Sequence, residues 1–287
     1  MVSLHASPFN IVRKKIMLKS KVLAAKPEEH LNMSLSVSKC KTFTSCKLKF
    51  KYTYIDKLPQ KEWSFFLTGT FAHEILELFY KQIINGSTES PNIILSKAWK
   101  EAYLNFKAKL TSDQTKEVKG FMMVFLKMYC EELNKPKVIA VEDNFYIDVD
   151  GRVLLNGFID RVQIDPDGVL HVADYKTTKD KKDLKKDFFQ LLLYAFVMCL
   201  RDPSLQQVRG SYILLRHNFE SIVKTFERDE IMQIESKILA YADSIDAEKL
   251  YRPQTSFLCN YCSFQDICPE GARMARPNFE KFGQEKW

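Results

Sequence analysis

The sequence predicts an α/β fold, a mixed β-sheet flanked by helices, gathered in one domain. Three observations predict it. Helical spacing of apolar residues dominates to about residue 134, period-two runs follow from 137 to 177, and a helix, two strands and a long helix come after. Asp165-Pro166-Asp167-Gly168 joins two of the period-two runs and marks a hairpin. The chain has 287 residues, 46% hydrophobic and 28% charged, which suits a globular protein with a core of its own.

Residues 1–32 form a basic extension, with no acidic residue before Glu28 and no clean periodicity. It reads as a flexible arm, a weak organelle-targeting segment, or an upstream extension with Met17 and Met33 as internal starts. The domain proper runs over 33–270, and 271–287 form a tail. Ser36 to Lys47 predicts a helix carrying Cys40 and Cys46. Phe71, Ile75, Leu78, Phe79 and Ile83 place a helix over 71–84, and two more cover 93–110 and 113–134. Strands are expected over 137–147, 152–164 and 169–177. A stretch with six lysines between 176 and 186 leads into a helix over 184–200. Strands near 207–217 and 221–227 and a helix over 228–248 complete the order.

No apolar run reaches the roughly 18–20 residues that a membrane span needs, so no membrane association is expected and a cytoplasmic location is. The net charge of +7 suits a polyanionic partner such as nucleic acid. Seven cysteines, an odd number without the spacing of a secreted disulfide framework, point to a reducing compartment and to thiols used as ligands.

The chemistry is concentrated in the hairpin. A type I turn closed by a left-handed Gly168 pairs Asp165 with Val169. Counting outward, Asp160 then faces Asp174 and Phe158 faces Lys176. Period-two alternation puts Asp160, Asp174 and Lys176 on one face. Directly opposed residues have Cβ atoms roughly 4.5–5.5 Å apart, and two carboxylates that close need a cation or a proton between them. Mg²⁺ or Mn²⁺ fits such a pair, and the Tyr175 backbone carbonyl is a further candidate ligand. The plain alternative is a solvated charged face.

Four features lie outside the hairpin. His73, early in the helix after Gly69, is a candidate third metal ligand suited to Mn²⁺, or an ordinary helix histidine. Gln190 and Tyr194, at i and i+4, share a helix face and are candidates for gripping a nucleotide, or form a polar stripe. The lysine-rich stretch, interleaved with Asp180, Asp183 and Asp187, is a solvated loop or a phosphate contact. Cys259, Cys262 and Cys268 are metal ligands by spacing; Cys46 or Cys40 would supply a fourth, for zinc or a [4Fe–4S] cluster.

Together these motifs resemble the RecB-like branch of the PD-(D/E)XK nuclease superfamily, in particular members with an iron–sulfur cluster such as the AddB nuclease domain and the CRISPR-adaptation nucleases. Gly69 to His73 is similar to that family's G-x-x-x-H, Gly157 to Asp160 to its G-x-x-D, Asp174 to Lys176 to its D-x-K, and Gln190 to Tyr194 to its Q-x-x-x-Y. Cys46, Cys259, Cys262 and Cys268 match the cluster cysteines in order and spacing. Ile159 stands where the superfamily's name has proline, and Lys47 follows Cys46 where proline is common, which keeps Cys40 as a minor alternative.

The resemblance spans about Ser34 to Pro269. It implies a restriction-endonuclease-like core, its N- and C-terminal segments joined by a metal cluster. It also implies Mg²⁺- or Mn²⁺-dependent cleavage of DNA, often single-stranded and from an end, in replication, repair or recombination. His73 would be a metal ligand, and Glu142, on the strand before the hairpin, a second-tier site. No G-x-x-x-x-G-K-[ST] motif occurs, so a helicase or recombination protein is expected as a separate partner. The rival readings are a non-cleaving nucleic-acid-binding module of the same fold and a structure-directed endonuclease.

Overall fold

Polar residues at the right offsets start several of the helices. A computed structural model of the chain describes residues 20–27, 33–61, 63–182 and 184–271. The Ser36 hydroxyl accepts from the Lys39 N–H at 3.3 Å and opens α1 (Val37–Ser45). The helix expected over 36–47 stops there because Cys46 is extended; α2 (Lys47–Phe50) follows and loosens into one π-helical turn, Lys51–Ile55. Then come α3 (Phe65–Ile84), α4 (Pro91–Phe106) and α5 (Ser112–Glu131). Pro91 occupies the first turn of α4, where its missing N–H costs nothing, and Thr111 and Gln114 form a reciprocal capping box on α5.

The strands are β1 (Lys21–Leu23), β2 (Met33–Leu35), β3 (Lys137–Val149), β4 (Val153–Ile164), β5 (Leu170–Lys176), β6 (Gln207–Leu214) and β7 (Glu220–Glu227). Their order is β1-β3-β4-β5-β6-β7, with β2 parallel to the first residues of β4. Only the β5–β6 and β2–β4 pairs are parallel, so the sheet is mixed as expected. β1 comes from the basic extension and pairs with Tyr146–Asp148 of β3. Residues 1–19, 28–32 and 272–287, and with them Met17 and nearly all of the tail, lie outside the described residues.

Helix α6 (Phe189–Arg201) begins five residues later than expected, where the Asp187 carboxylate accepts the Phe189 N–H at 3.0 Å. The helix expected over 228–248 is two, α7 (Arg228–Met232) and α8 (Ile234–Ala247), interrupted at Gln233. β6 ends at Leu214, short of the expected 217, because a 3₁₀ turn and two left-handed residues, Asn218 and Phe219, reverse the chain there.

Two apolar cores sandwich the sheet. The larger joins one face to α1, α2, α6, α7 and α8; the smaller joins the other to α3, α4 and α5. The run Leu191–Cys199 is buried throughout, which pins α6 between the sheet and the outer helices. The smaller core brings α3 against Ala173 and Tyr175 of β5, beside the hairpin.

Candidate active site

The turn closes as its chemistry requires. The Asp165 N–H donates to the Val169 carbonyl at 3.0 Å, the Gly168 N–H to the Asp165 carbonyl at 2.8 Å, and Gly168 has φ of 81°. Pairing runs from Ile164↔Leu170 out to Arg161↔Ala173. One step further the register sets Asp160 against Asp174. There the ladder stops, and the Asp160 side chain takes over: its Oδ2 accepts the Tyr175 N–H at 2.8 Å. The strands part at the carboxylates, and β5 continues along β6 to Lys176.

The sheet changes face at the same place. Ile159 and Val162 both pack into the larger core, although strict alternation would put an odd and an even position on opposite sides. Arg161 between them turns toward α3. Across the ladder Glu142 has φ of 45°, rare outside glycine, and the alternation of β3 shifts there too. The consequence is that Glu142 and Asp160 both reach the opening between the strands.

α3 supplies the third group. Gly69 lets the helix approach: a Cβ there would lie 3.0 Å from the Thr177 hydroxyl oxygen. One turn on, His73 Nε2 lies 3.1 Å from the Tyr175 carbonyl and Nδ1 lies 3.4 Å from Asp160 Oδ2. A carbonyl only accepts, so Nε2 carries the hydrogen. Burial lowers the His73 pKa despite the nearby Asp174, which favours the neutral ring. The Nδ1 lone pair then faces a carboxylate oxygen.

Two acceptors in that position call for a cation. Ligand atoms of His73, Glu142 and Asp160 all lie within 4.8 Å of one another. Burial, with Asp174 close by, pushes the Asp160 carboxyl well above the usual range, and burial with Glu77 and Asp174 raises Glu142. Three carboxylates gather with Lys176 in the same network, and an imidazole and carboxylates are the donor set of Mn²⁺ or Mg²⁺. The residues therefore fit a divalent ion.

Asp174, only 2% exposed, sits in the adjoining network. Its Oδ2 pairs with Lys176 Nζ, and its Oδ1 accepts from Gln190 Nε2 at 2.6 Å. Gln190 Oε1 in turn accepts from Lys176 at 3.2 Å, and its Nε2 donates to the Tyr194 hydroxyl at 2.8 Å. Gln190 thus ties Asp174 to Lys176. Tyr194 is 5% exposed, its phenol raised by burial and by the neighbouring Asp174, and it backs Gln190 rather than opening to solvent. The Tyr175 carbonyl, expected as a ligand, is bonded to His73.

Sequence reasoning missed the support beneath these groups. Arg161 is 8% exposed, and its Nη1 donates to the hydroxyls of Tyr80 at 2.8 Å and Tyr175 at 3.0 Å. His73, Glu77 and Tyr80 recur at i, i+4 and i+7 on α3, a polar stripe that could have been read from spacing.

Cys46, Cys259, Cys262 and Cys268 line one pocket where α2 meets the C-terminal segment. Cys46 Sγ accepts from the N–H groups of Lys49 and Gln254, each at 3.5 Å, and Cys259 Sγ from that of Ser256 at 3.4 Å. Cys40 does not line that pocket; it is 1% exposed in the larger core, its thiol pushed up to about 12 by burial. Cys199 is buried and Cys130 exposed.

A fold and a site of this kind define a class of metal-dependent nucleases. Residues 34–269 match the family model of the PD-(D/E)XK nuclease superfamily, and the chain belongs to that superfamily. It is similar to one subunit of the ATP-dependent helicase/deoxyribonuclease of Streptococcus agalactiae, in three strains, with 24% identity over 242 residues; the match covers 79% of this chain and 22% of that protein. Among solved structures it is similar to SSO0001 (16% identity, TM-score 0.40, 86% of this chain and 89% of that one). Another is a Eubacterium rectale protein described provisionally as an exonuclease (10% identity, TM-score 0.45, 80% and 87%). Among the described residues no helix is long and apolar enough to cross a membrane.

Proposed function

We propose that the chain is a divalent-metal-dependent deoxyribonuclease that cuts single-stranded DNA from an end, in replication, repair or recombination. The observation that carries this reading is the convergence of His73, Glu142 and Asp160 at the strand opening, beside the Asp174–Lys176 pair. The streptococcal relatives, named as subunits of a helicase/deoxyribonuclease, support DNA as substrate and a helicase as a separate partner.

His73, Glu142, Asp160 and Asp174 would hold Mg²⁺ or Mn²⁺. A bound divalent ion supplies Lewis acidity and neutralises charge building on the phosphate. The other steps belong to the chain. Gln190 and Asp174 hold the Lys176 ammonium at the site, and it turns to the attacking water and to the phosphorane oxygens as charge develops. The Tyr175 N–H fixes the Asp160 carboxylate beside His73 Nδ1. Tyr194 keeps Gln190 aimed at this pair, and the strand would lie over Gln190.

The resemblance of Cys46, Cys259, Cys262 and Cys268 in order and spacing to cluster cysteines is what favours a [4Fe–4S] cluster over zinc. All four line one pocket. Backbone N–H groups aimed at Cys46 and Cys259 are the hydrogen bonds that tune cluster thiolates.

Lys176→Ala tests the assignment. With Mn²⁺ and labelled single-stranded DNA, the variant is expected to cut slower by a factor on the order of 10²–10³, the usual cost of losing a transition-state charge contact. Cleavage at the native rate would sink the assignment.

A further inference from the structure

β5 and β6 are parallel, and Lys176 at the end of one pairs with Leu214 at the end of the other. Both strands therefore leave the sheet at the same edge. Lys179 is three residues past Lys176, at most roughly 11 Å by backbone reach, and His217 is three past Leu214. The two segments wall an open depression of about 510 Å³ lined by Lys179, Asp180, Lys181, Lys182, Lys185 and His217.

Among the described residues its charge is net positive, four lysines against Asp180 on the lining and Glu220 beside it. Asp180 is the only lining carboxylate among the described residues, and its Oδ1 accepts the Lys182 backbone N–H at 2.9 Å. Lys181 pairs with Glu220 at 2.6 Å. Lys182 and Lys185 form no salt bridge among the described residues, although Glu220 lies close enough to act on Lys185 and His217. His217 lines the depression, and its Nε2 has no hydrogen-bond partner among the described residues. A lysine run is by default a solvated face. This one is concave, is walled by two segments distant in sequence, and lies beside Lys176.

We propose that this depression is a phosphate-binding subsite that holds the nucleic-acid strand next to the bond being cut. The ligand's identity rests on the nuclease reading above. A phosphate offers acceptors only, which the ammonium groups of Lys182 and Lys185 and a ring N–H of His217 complement. Fixing one phosphate here sets which phosphodiester reaches Lys176, and an end phosphate held here would make cutting end-directed.

The test is binding, read without cleavage. Fluorescence anisotropy of a labelled single-stranded oligonucleotide, in chelator and across a salt series, compares the full chain with Lys182→Ala/Lys185→Ala. The control is Lys116→Ala/Lys127→Ala, which removes equal charge from α5. Each single-strand phosphate contact contributes a log–log salt slope of about 0.7, so the first pair is expected to lose about 1.4 and the control nothing. A full slope in the first pair, or an equal loss in the control, overturns the proposal. Oligonucleotides with a 5′-phosphate, a 3′-phosphate or neither tell the sources apart: a larger loss with one phosphorylated end assigns a terminal phosphate, and an equal loss an internal one. Absence of cleavage in Mn²⁺ would count against the nuclease reading alone and leave these slopes standing.

Discussion

Asp165 gathers hydrogen bonds from three strands of the sheet. Gln163 Nε2 donates to it at 2.6 Å, the His171 Nδ1–H at 2.9 Å, and Arg209 reaches it from β6. Beyond His171, Nε2 lies 2.8 Å from the Ser211 hydroxyl. Ser211, His171 and Asp165 share the connectivity of a hydrolase triad, but Ser211 is 1% exposed in a central strand, so the relay fastens strands and performs no chemistry. It does make stability depend on pH. Burial lowers the His171 pKa more than Asp165 restores it. Burial raises Asp165, and the bonds from Gln163, Arg209 and His171 outweigh it, leaving the carboxyl below its ordinary range. Both folded values lie below the unfolded ones, so both contributions are present at neutral pH and are lost on acidification. The loss begins below about pH 6.5 for His171 and below about pH 3.9 for Asp165. Asp160 and Glu142, both raised, act in the opposite sense, so the relay is read as a difference: the gap in urea midpoint between wild type and Asp165→Asn is expected to narrow as pH falls from 7.5 to 2.5. A gap that does not narrow on acidification would contradict the relay.

Strand β4 carries the site, and its Gly157 is set by packing. Phe145 lies directly across the ladder, and a Cβ on Gly157 would fall 2.9 Å from its Cζ. Gly157→Ala is expected to destabilise by about 1–3 kcal/mol, the usual range for overpacking, in urea unfolding. Adding Phe145→Leu should recover part of that loss, and additive effects would show that the ring is not the cause. The register of this strand was legible because Asp165-Pro166-Asp167-Gly168 specifies a single turn geometry. The face change at Asp160 was not, because a glutamate at φ of 45° carries no sequence signal. Hence the hairpin count brought Asp160 and Asp174 together, but Glu142 entered only as a second-tier residue. Tyr194 was placed on the correct helix face with Gln190, but its burial depends on Phe145 and the larger core, which spacing alone does not reveal. The breaks at Cys46 and Gln233 escaped for the same reason: neither residue is a helix breaker in itself.

The two ends of the domain are held together over a long stretch of sequence. Gln254 donates its N–H to Cys46 across 208 residues, Lys47 pairs with Glu248 at 2.5 Å, and the Tyr52 and Phe264 rings meet at 5.4 Å. A cluster joining Cys46 to Cys259, Cys262 and Cys268 would close that loop. A crosslink of this length contributes on the order of 5 kcal/mol, comparable with the net stability of a whole domain. Cys46→Ser is therefore expected to lower the melting temperature and to remove an absorbance at about 400 nm from anaerobically purified protein. A colourless wild-type protein holding zinc would contradict the cluster and leave the staple. On the proposed reading, His73, Glu142, Asp160 and Asp174 hold a divalent ion that the chain uses to cut DNA. The most direct measurement is digestion of end-labelled single-stranded DNA by the wild type and by Asp160→Asn, each with Mn²⁺ and with excess chelator. Cleavage is expected only from the wild type with metal; cleavage that survives the chelator, or an Asp160→Asn variant that cuts at the native rate, would contradict that role for the four residues.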